Sequence, residues 1–336
     1  MNIEQLHRDA LIIDGLNFYS DGDNSALRDA HIDAVNITVC NFEADYEQTC
    51  DELAQWLVAL EAANCPWQAI TEVEDFERAR AAGKTGLIMG WQNMRAIGDN
   101  LDRLTLFHRL GIRVMQPTYN RRNFLGDGCL EAHDGGLSKL GHQAVEKMND
   151  LGIAIDLSHV GDETSLQAAQ HSAKPVLITH ANAKALVDVP RNRTDALIKA
   201  VAAGGGVIGT SIYGTMCWDG DTQRRPQLSD YLRQVEYIAE LVGPEHVAIG
   251  TDLPCVDDLE KIRAITEATL KRYPEAVSTY AAAFGNDIRA RYIEQVSSHG
   301  ELTAITTALC ESGWSEREIR GLLGENFKRA LAQIWK

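Results

Sequence analysis

The chain has 336 residues, 45% of them apolar, enough to bury a large core, and one domain spanning 1–336 is the expected count. Acidic residues outnumber basic ones 48 to 32, and the formal charge of −16 argues against a nucleic-acid or anionic-membrane partner and for a small-molecule one. The first ten residues are polar and mixed in charge, no apolar run reaches about 18 residues, and the seven cysteines show no C-x-x-C spacing, so reduced thiols in a cytoplasmic protein are expected.

In chain order, short apolar runs at 10–16, 34–40, 85–91, 113–118, 153–158, 176–179, 206–212 and 246–251 read as strands. Between them, 51–62, 100–110, 141–151, 194–202 and 229–241 carry apolar residues at helical spacing. Near-continuous apolar strands fit a parallel sheet buried on both faces, and eight of them separated by helices predict an α/β fold, a (β/α)8 TIM barrel. The stretch 253–300 exceeds one β/α unit, so 255–336 is expected to add C-terminal helices beside the barrel, helped by the capping box Ser315-Glu-Arg-Glu318. The triplet 204–206 precedes a strand and reads as a tight helix-to-strand connection rather than a phosphate loop.

Chemistry in such a barrel sits at the C-terminal ends of the strands. His159 closes Ile-Ala-Ile-Asp-Leu-Ser-His159 and His180 closes Val-Leu-Ile-Thr-His180, so two imidazoles arrive at successive strand ends as candidate metal ligands. Asp252 ends the last strand, where barrel metallohydrolases keep a general base; its plainer reading is a helix N-cap. The loop after the fourth strand holds Arg121, Arg122, Asp127, Cys129, Glu131, His133 and Asp134, read either as ligands and anion binders or as a solvated loop of mutually paired charges. Asp156 and Ser158 are placed to orient an imidazole.

The strings around His159 and His180, then Pro190-Arg191-Asn192, then Gly250-Thr-Asp252, resemble the renal or membrane dipeptidase family of zinc peptidases. The resemblance runs from Ile13-Asp-Gly15 to Gly324-Glu-Asn-Phe327. It implies a (β/α)8 TIM barrel of metal-dependent-hydrolase type, with two carboxylate-bridged zinc ions, that hydrolyses dipeptides, including those with a C-terminal D-residue, and it suggests a homodimer. It assigns His159 and His180 to one zinc, Asp252 to the proton of the attacking water, and Arg191 to the substrate carboxylate, a role that suits a planar, permanently charged fork.

The departures from the family pattern change the expectation. Leu16 and Phe18 stand where the family has a His-x-Asp pair, and neither ligates metal. Gln92 replaces the bridging glutamate, and Tyr119 replaces a histidine that polarises the scissile carbonyl. The expectation is therefore zero or one zinc per chain, not two, held by His159 and His180 with Gln92 or Glu131 as a weak or replacement ligand and Cys129 as a further candidate. Asp252 and Tyr119 are the catalytic candidates, and Arg191, Tyr119 and Gln92 the substrate-binding ones. The reading is a dipeptidase-like metallohydrolase of a small carboxylate-bearing amide or dipeptide. The alternatives are a metal-free small-acid binding protein and a non-peptidase enzyme on the same barrel.

Overall fold

The structure, a computed structural model, describes residues 2–255, 259–274, 278–285 and 287–335. Nine parallel strands form: β1 (Ile13–Asn17), β2 (Ala34–Thr38), β3 (Trp67–Ala69), β4 (Thr85–Trp91), β5 (Ile112–Met115), β6 (Ala154–Ile155), β7 (Leu177–Ile178), β8 (Val207–Thr210) and β9 (Val247–Ile249). One ladder runs β1-β2-β4-β5-β6 and a second β7-β8-β9. Isolated parallel bridges Asp156↔Leu177 and Asn17↔Leu253 join the two ladders into a closed eight-stranded barrel. The extra strand, β3, pairs with the first half of β4 and contains one buried and two half-buried residues, too short a pattern to read as a strand from sequence.

The apolar runs alternate between two cores because successive strand residues face opposite sides. Ile13, Ala34, Ile88, Val114, Ala154, Leu177, Val207 and Ala248, one from each barrel strand, form the inner cluster. Their neighbours, such as Ile12, Val35, Leu87, Ile178 and Ile208, pack outward against the helices. The last helix, Asn326–Ile334, adds Phe327, Leu331 and Ile334 to the inner cluster. Asn326 Nδ2 donates to Val247 O (2.8 Å) at the start of β9, so this helix plugs the end opposite the strand C-termini.

Two buried carboxylates hold the seams where the ladders meet. Asp156 accepts five hydrogen bonds, from Gln116 Nε2, from the N–H and O–H of Ser158, and from the N–H and O–H of Thr179. Asp14 accepts from Asn17 Nδ2, the Leu16 N–H, and the N–H and O–H of Thr251. Each carboxylate thus replaces ladder bonds that the two-residue strands β6 and β7 and the β9–β1 closure do not supply.

The helices start where their caps dictate. Asp45 caps Tyr46–Leu60, five residues ahead of the predicted start, and Ser138 caps Lys139–Leu151. The 204–206 glycines do make a tight turn from Asp195–Ala203 into β8. Beyond β9 lie Leu259–Arg272 and Ser278–Phe284, a 3₁₀ turn Arg289–Arg291, and the C-terminal helices Thr303–Glu311, Glu316–Arg320 and Asn326–Ile334. The added helices expected within 253–300 are thus short and interrupted, and residues 256–258, 275–277 and 286 lie outside the described residues. All seven cysteines are free thiols. Among the described residues no helix is long and apolar enough to cross a membrane.

Candidate active site

His159 and His180 leave β6 and β7 side by side, and their Nε2 atoms face each other at 3.0 Å. Their outer nitrogens fix the tautomers. His159 Nδ1 meets Asn120 Oδ1 (2.8 Å), an acceptor, so Nδ1 carries the hydrogen and Nε2 a lone pair. His180 Nδ1 meets Thr179 Oγ1 (2.7 Å), whose single hydrogen goes to Asp156 Oδ2 (2.6 Å). His180 therefore donates through Nδ1 and also presents a lone pair at Nε2, and the two lone pairs converge on a point suited to a cation. Burial, then the Arg191 charge, pushes both imidazoles well below the usual histidine range, which keeps them neutral as metal ligands must be.

Close packing delivers this pair. A Cβ on Gly209 or Gly250 would lie 2.0 Å or 1.8 Å from Thr179 O, so only glycine lets β8 and β9 approach the strand that ends in His180. Tyr119 stacks between Phe42 (centroids 4.1 Å apart) and His159 (4.0 Å), and burial raises its phenol, which stays protonated. Asn120 and Asp252 both hold positive φ, 58° and 61°, left-handed backbone that Asn and Asp adopt more readily than most side chains. The Asp252 N–H donates to Leu16 O (3.1 Å) and its carbonyl accepts from Tyr292 O–H (2.6 Å), which together hold that backbone. Burial pushes the Asp252 carboxyl up to about 6, against the pull of Arg191 and Arg291.

A cavity of about 660 Å³, counting its open mouth, collects Tyr119, His159, Arg191 and Asp252 from four separate segments. Arg191 donates to the carbonyls of Ser158 and His180, which aims its guanidinium beside the histidines. A neighbouring cavity is lined by Phe18, Phe42, Gln92, Tyr119, His159 and Asp252. There Gln92 Nε2 donates to Thr38 Oγ1, leaving its carbonyl oxygen for the cavity. Leu16 is buried, 1% exposed, and Phe18 forms cavity wall.

Glu131 is placed elsewhere: its carboxylate accepts from the Arg122 N–H (2.8 Å), and it lines neither cavity. In the same loop Arg122 pairs with Asp127, while Asp134 reaches outside the loop and accepts from the N–H groups of Glu163 and Thr164 at the start of a helix. Cys129 Sγ contacts Asn120 Oδ1 (3.4 Å), one residue removed from His159. Among the described residues no group of three or more His, Cys, Asp or Glu side chains is arranged to hold a metal ion.

The sequence profile of the membrane dipeptidase family, peptidase family M19, matches residues 23–301. The chain belongs to this family. Among M19-related proteins, the dipeptidase aclJ of Aspergillus oryzae is 30% identical over 174 residues, 51% of this chain and 40% of its own length. The chain thus spans less than half of that fungal dipeptidase. An amidohydrolase from Pseudomonas aeruginosa superposes with a TM-score of 0.84 at 28% identity, covering 100% of this chain and 99% of that one. A metallo peptidase from Rhodobacter sphaeroides, solved with a phosphinate mimic of L-Ala-D-Ala, shares the fold at TM-score 0.78 and 20% identity, covering 97% of this chain and 100% of that one.

Several residues of the cavity belong to no motif in the sequence. Arg291 and Tyr273 line the first cavity from segments that end no predicted strand, and Tyr213 lines it directly after the predicted strand 206–212. Thr179 and Asn120 act through hydrogen bonds to the imidazoles, which only side-chain geometry reveals.

Proposed function

We propose that the chain hydrolyses small carboxylate-bearing amides, dipeptides among them, with one divalent metal ion or none, zinc being the expected ion. The observation that carries this reading is the meeting of His159 and His180 at Nε2, His159 also lining the cavity that Asp252 and Arg191 line. The donor set fits at most one ion, because two neutral imidazoles converge and no third His, Cys, Asp or Glu among the described residues joins them. It does not fit two, because Leu16 and Phe18 offer no donor and Gln92 offers a neutral amide oxygen.

A metal ion bound there would supply a Lewis acid that polarises a carbonyl and acidifies water. The chain's own residues do the rest. Arg191 would take the substrate carboxylate, fixing the scissile amide over the histidines. Tyr119, kept protonated by burial, would donate its O–H to the amide oxygen as charge develops there. Asp252, ionised above about pH 6, would accept the proton of the attacking water and return it to the leaving nitrogen.

A metal-free small-acid binding protein is the second reading, favoured by the apolar side chains at Leu16 and Phe18. Elemental analysis of protein purified without added metal, paired with a dipeptide and acyl-amide panel with and without chelator, separates them. About one metal per chain, lost on His159→Ala or His180→Ala together with turnover, is the expected result. Two firmly bound ions would overturn the single-site reading. No metal and no turnover after zinc is supplied would favour the binding protein.

A further inference from the structure

The two cavities share Tyr119, His159, Tyr213, Asp252, Thr269 and Arg291, so they form one space with two ends. Arg191 lines one end, and Phe18, Phe42 and Gln92 the other. Among the described lining residues the charged groups are Arg191, Arg291 and Asp252, a sum of +1 when all are ionised, in a chain of formal charge −16. That local excess of positive charge runs against the molecule as a whole.

Arg291 is fixed in place by neutral partners. Its Nη1 donates to Thr266 Oγ1 (2.6 Å), and its Nε and Nη2 donate to Tyr213 Oη (3.1 and 2.9 Å). Hydroxyl acceptors hold a guanidinium without cancelling its charge, so Arg291 offsets Asp252, with which it shares the cavity. The Arg191 charge is then left for the ligand, which balances with one negative charge.

A dipeptide brings a carboxylate and an ammonium. The carboxylate has Arg191, but Asp252 is the sole acid among the described lining residues and already faces two guanidiniums. The aromatic end supplies no acid in its place: Tyr119 has one ring face covered by Phe42 and the other by His159, and the polar group left there is the neutral carbonyl oxygen of Gln92, beside the apolar wall of Phe18, Phe42 and Ile265.

We propose that this space takes a monoanionic N-acylated amino acid in preference to a zwitterionic dipeptide, its carboxylate on Arg191 and its uncharged acyl group against Phe18, Phe42 and Ile265. The proposal rests on the hydrolase reading for turnover alone, since the binding preference follows from the charge and shape of the chain's own residues, and a divalent ion at the histidines would add positive charge that favours the anion further. Titration calorimetry of the full chain with L-alanyl-D-alanine and with propionyl-D-alanine tests it, because these two ligands differ only in the amino group. Propionyl-D-alanine is expected to bind about tenfold tighter or more. Equal or tighter binding of the dipeptide, or no binding of either, overturns the proposal.

Thr269→Asp provides a second test, placing a carboxylate of similar size where both cavities meet. It is expected to swing the preference toward the dipeptide by about tenfold. An unchanged preference in a variant with native circular dichroism overturns the proposal. Product formation is followed alongside: the binding preference without cleavage of either ligand overturns the hydrolase reading and leaves this one standing.

Discussion

Asp252 is expected to couple stability to the proposed turnover. Its carboxyl sits at about 6 in the folded chain against 3.8 ordinarily, so the unfolded chain gives up this proton more readily. The folded state therefore carries a penalty at pH above 6 that fades as pH falls and is absent near pH 4. Asp252→Asn is expected to gain about 1–2 kcal/mol at pH 8 and nothing at pH 4, measured by urea unfolding. The same substitution should cut kcat by about 10²–10⁴, and wild-type kcat/KM should fall as pH drops through about 6. Arg191→Lys keeps a positive charge but loses the planar fork, and kcat/KM for carboxylate-bearing substrates is expected to fall by about tenfold or more.

The strand seams are the elements on which the site depends. Asp156 joins β6 to β7 and, through Thr179, fixes the His180 tautomer, so stability and metal affinity share one carboxylate. Asp156→Asn replaces an acceptor with a group that must also donate among five donors. A loss of about 3 kcal/mol in urea unfolding is expected, with metal affinity down by about tenfold or more by competition with a chelator. Gly250→Ala, with backbone 1.8 Å from the new Cβ, should be as damaging or fail to fold. At the N-terminal helix, Ile3–Asp9, burial pushes His7 down to about 4, with His31 adding to the effect. The unfolded chain binds that proton from about pH 6.5 downward, so stability is expected to fall between pH 6.5 and 4, and His7→Gln to flatten that fall.

At the scale of the whole molecule, the barrel depends on its last helix. Phe327, Leu331, Ile334 and Trp335 belong to the same cluster as the eight inward strand residues. At about 1.5–3 kcal/mol for each large buried side chain, ending the chain at Glu325 should remove most of a net stability of about 5–15 kcal/mol. Loss of near-ultraviolet circular dichroism and aggregation on expression are the expected outcomes. By itself the sequence determined the barrel, because eight apolar runs of strand length leave few other ways to bury both faces. It also determined that His159, His180 and Asp252 lie at one end, because each closes such a run, and that Leu16 and Phe18 cannot ligate metal, which is a matter of side-chain chemistry. The seams at Asp14 and Asp156 escaped it, since two-residue strands have no periodicity and a buried carboxylate's partners lie up to 285 residues away. Only the tertiary structure decided that Glu131 turns to the Arg122 amide and that Arg291, from a 3₁₀ turn on no strand end, enters the cavity. Loop side chains are positioned by what they meet in space, and spacing along the chain holds no record of that.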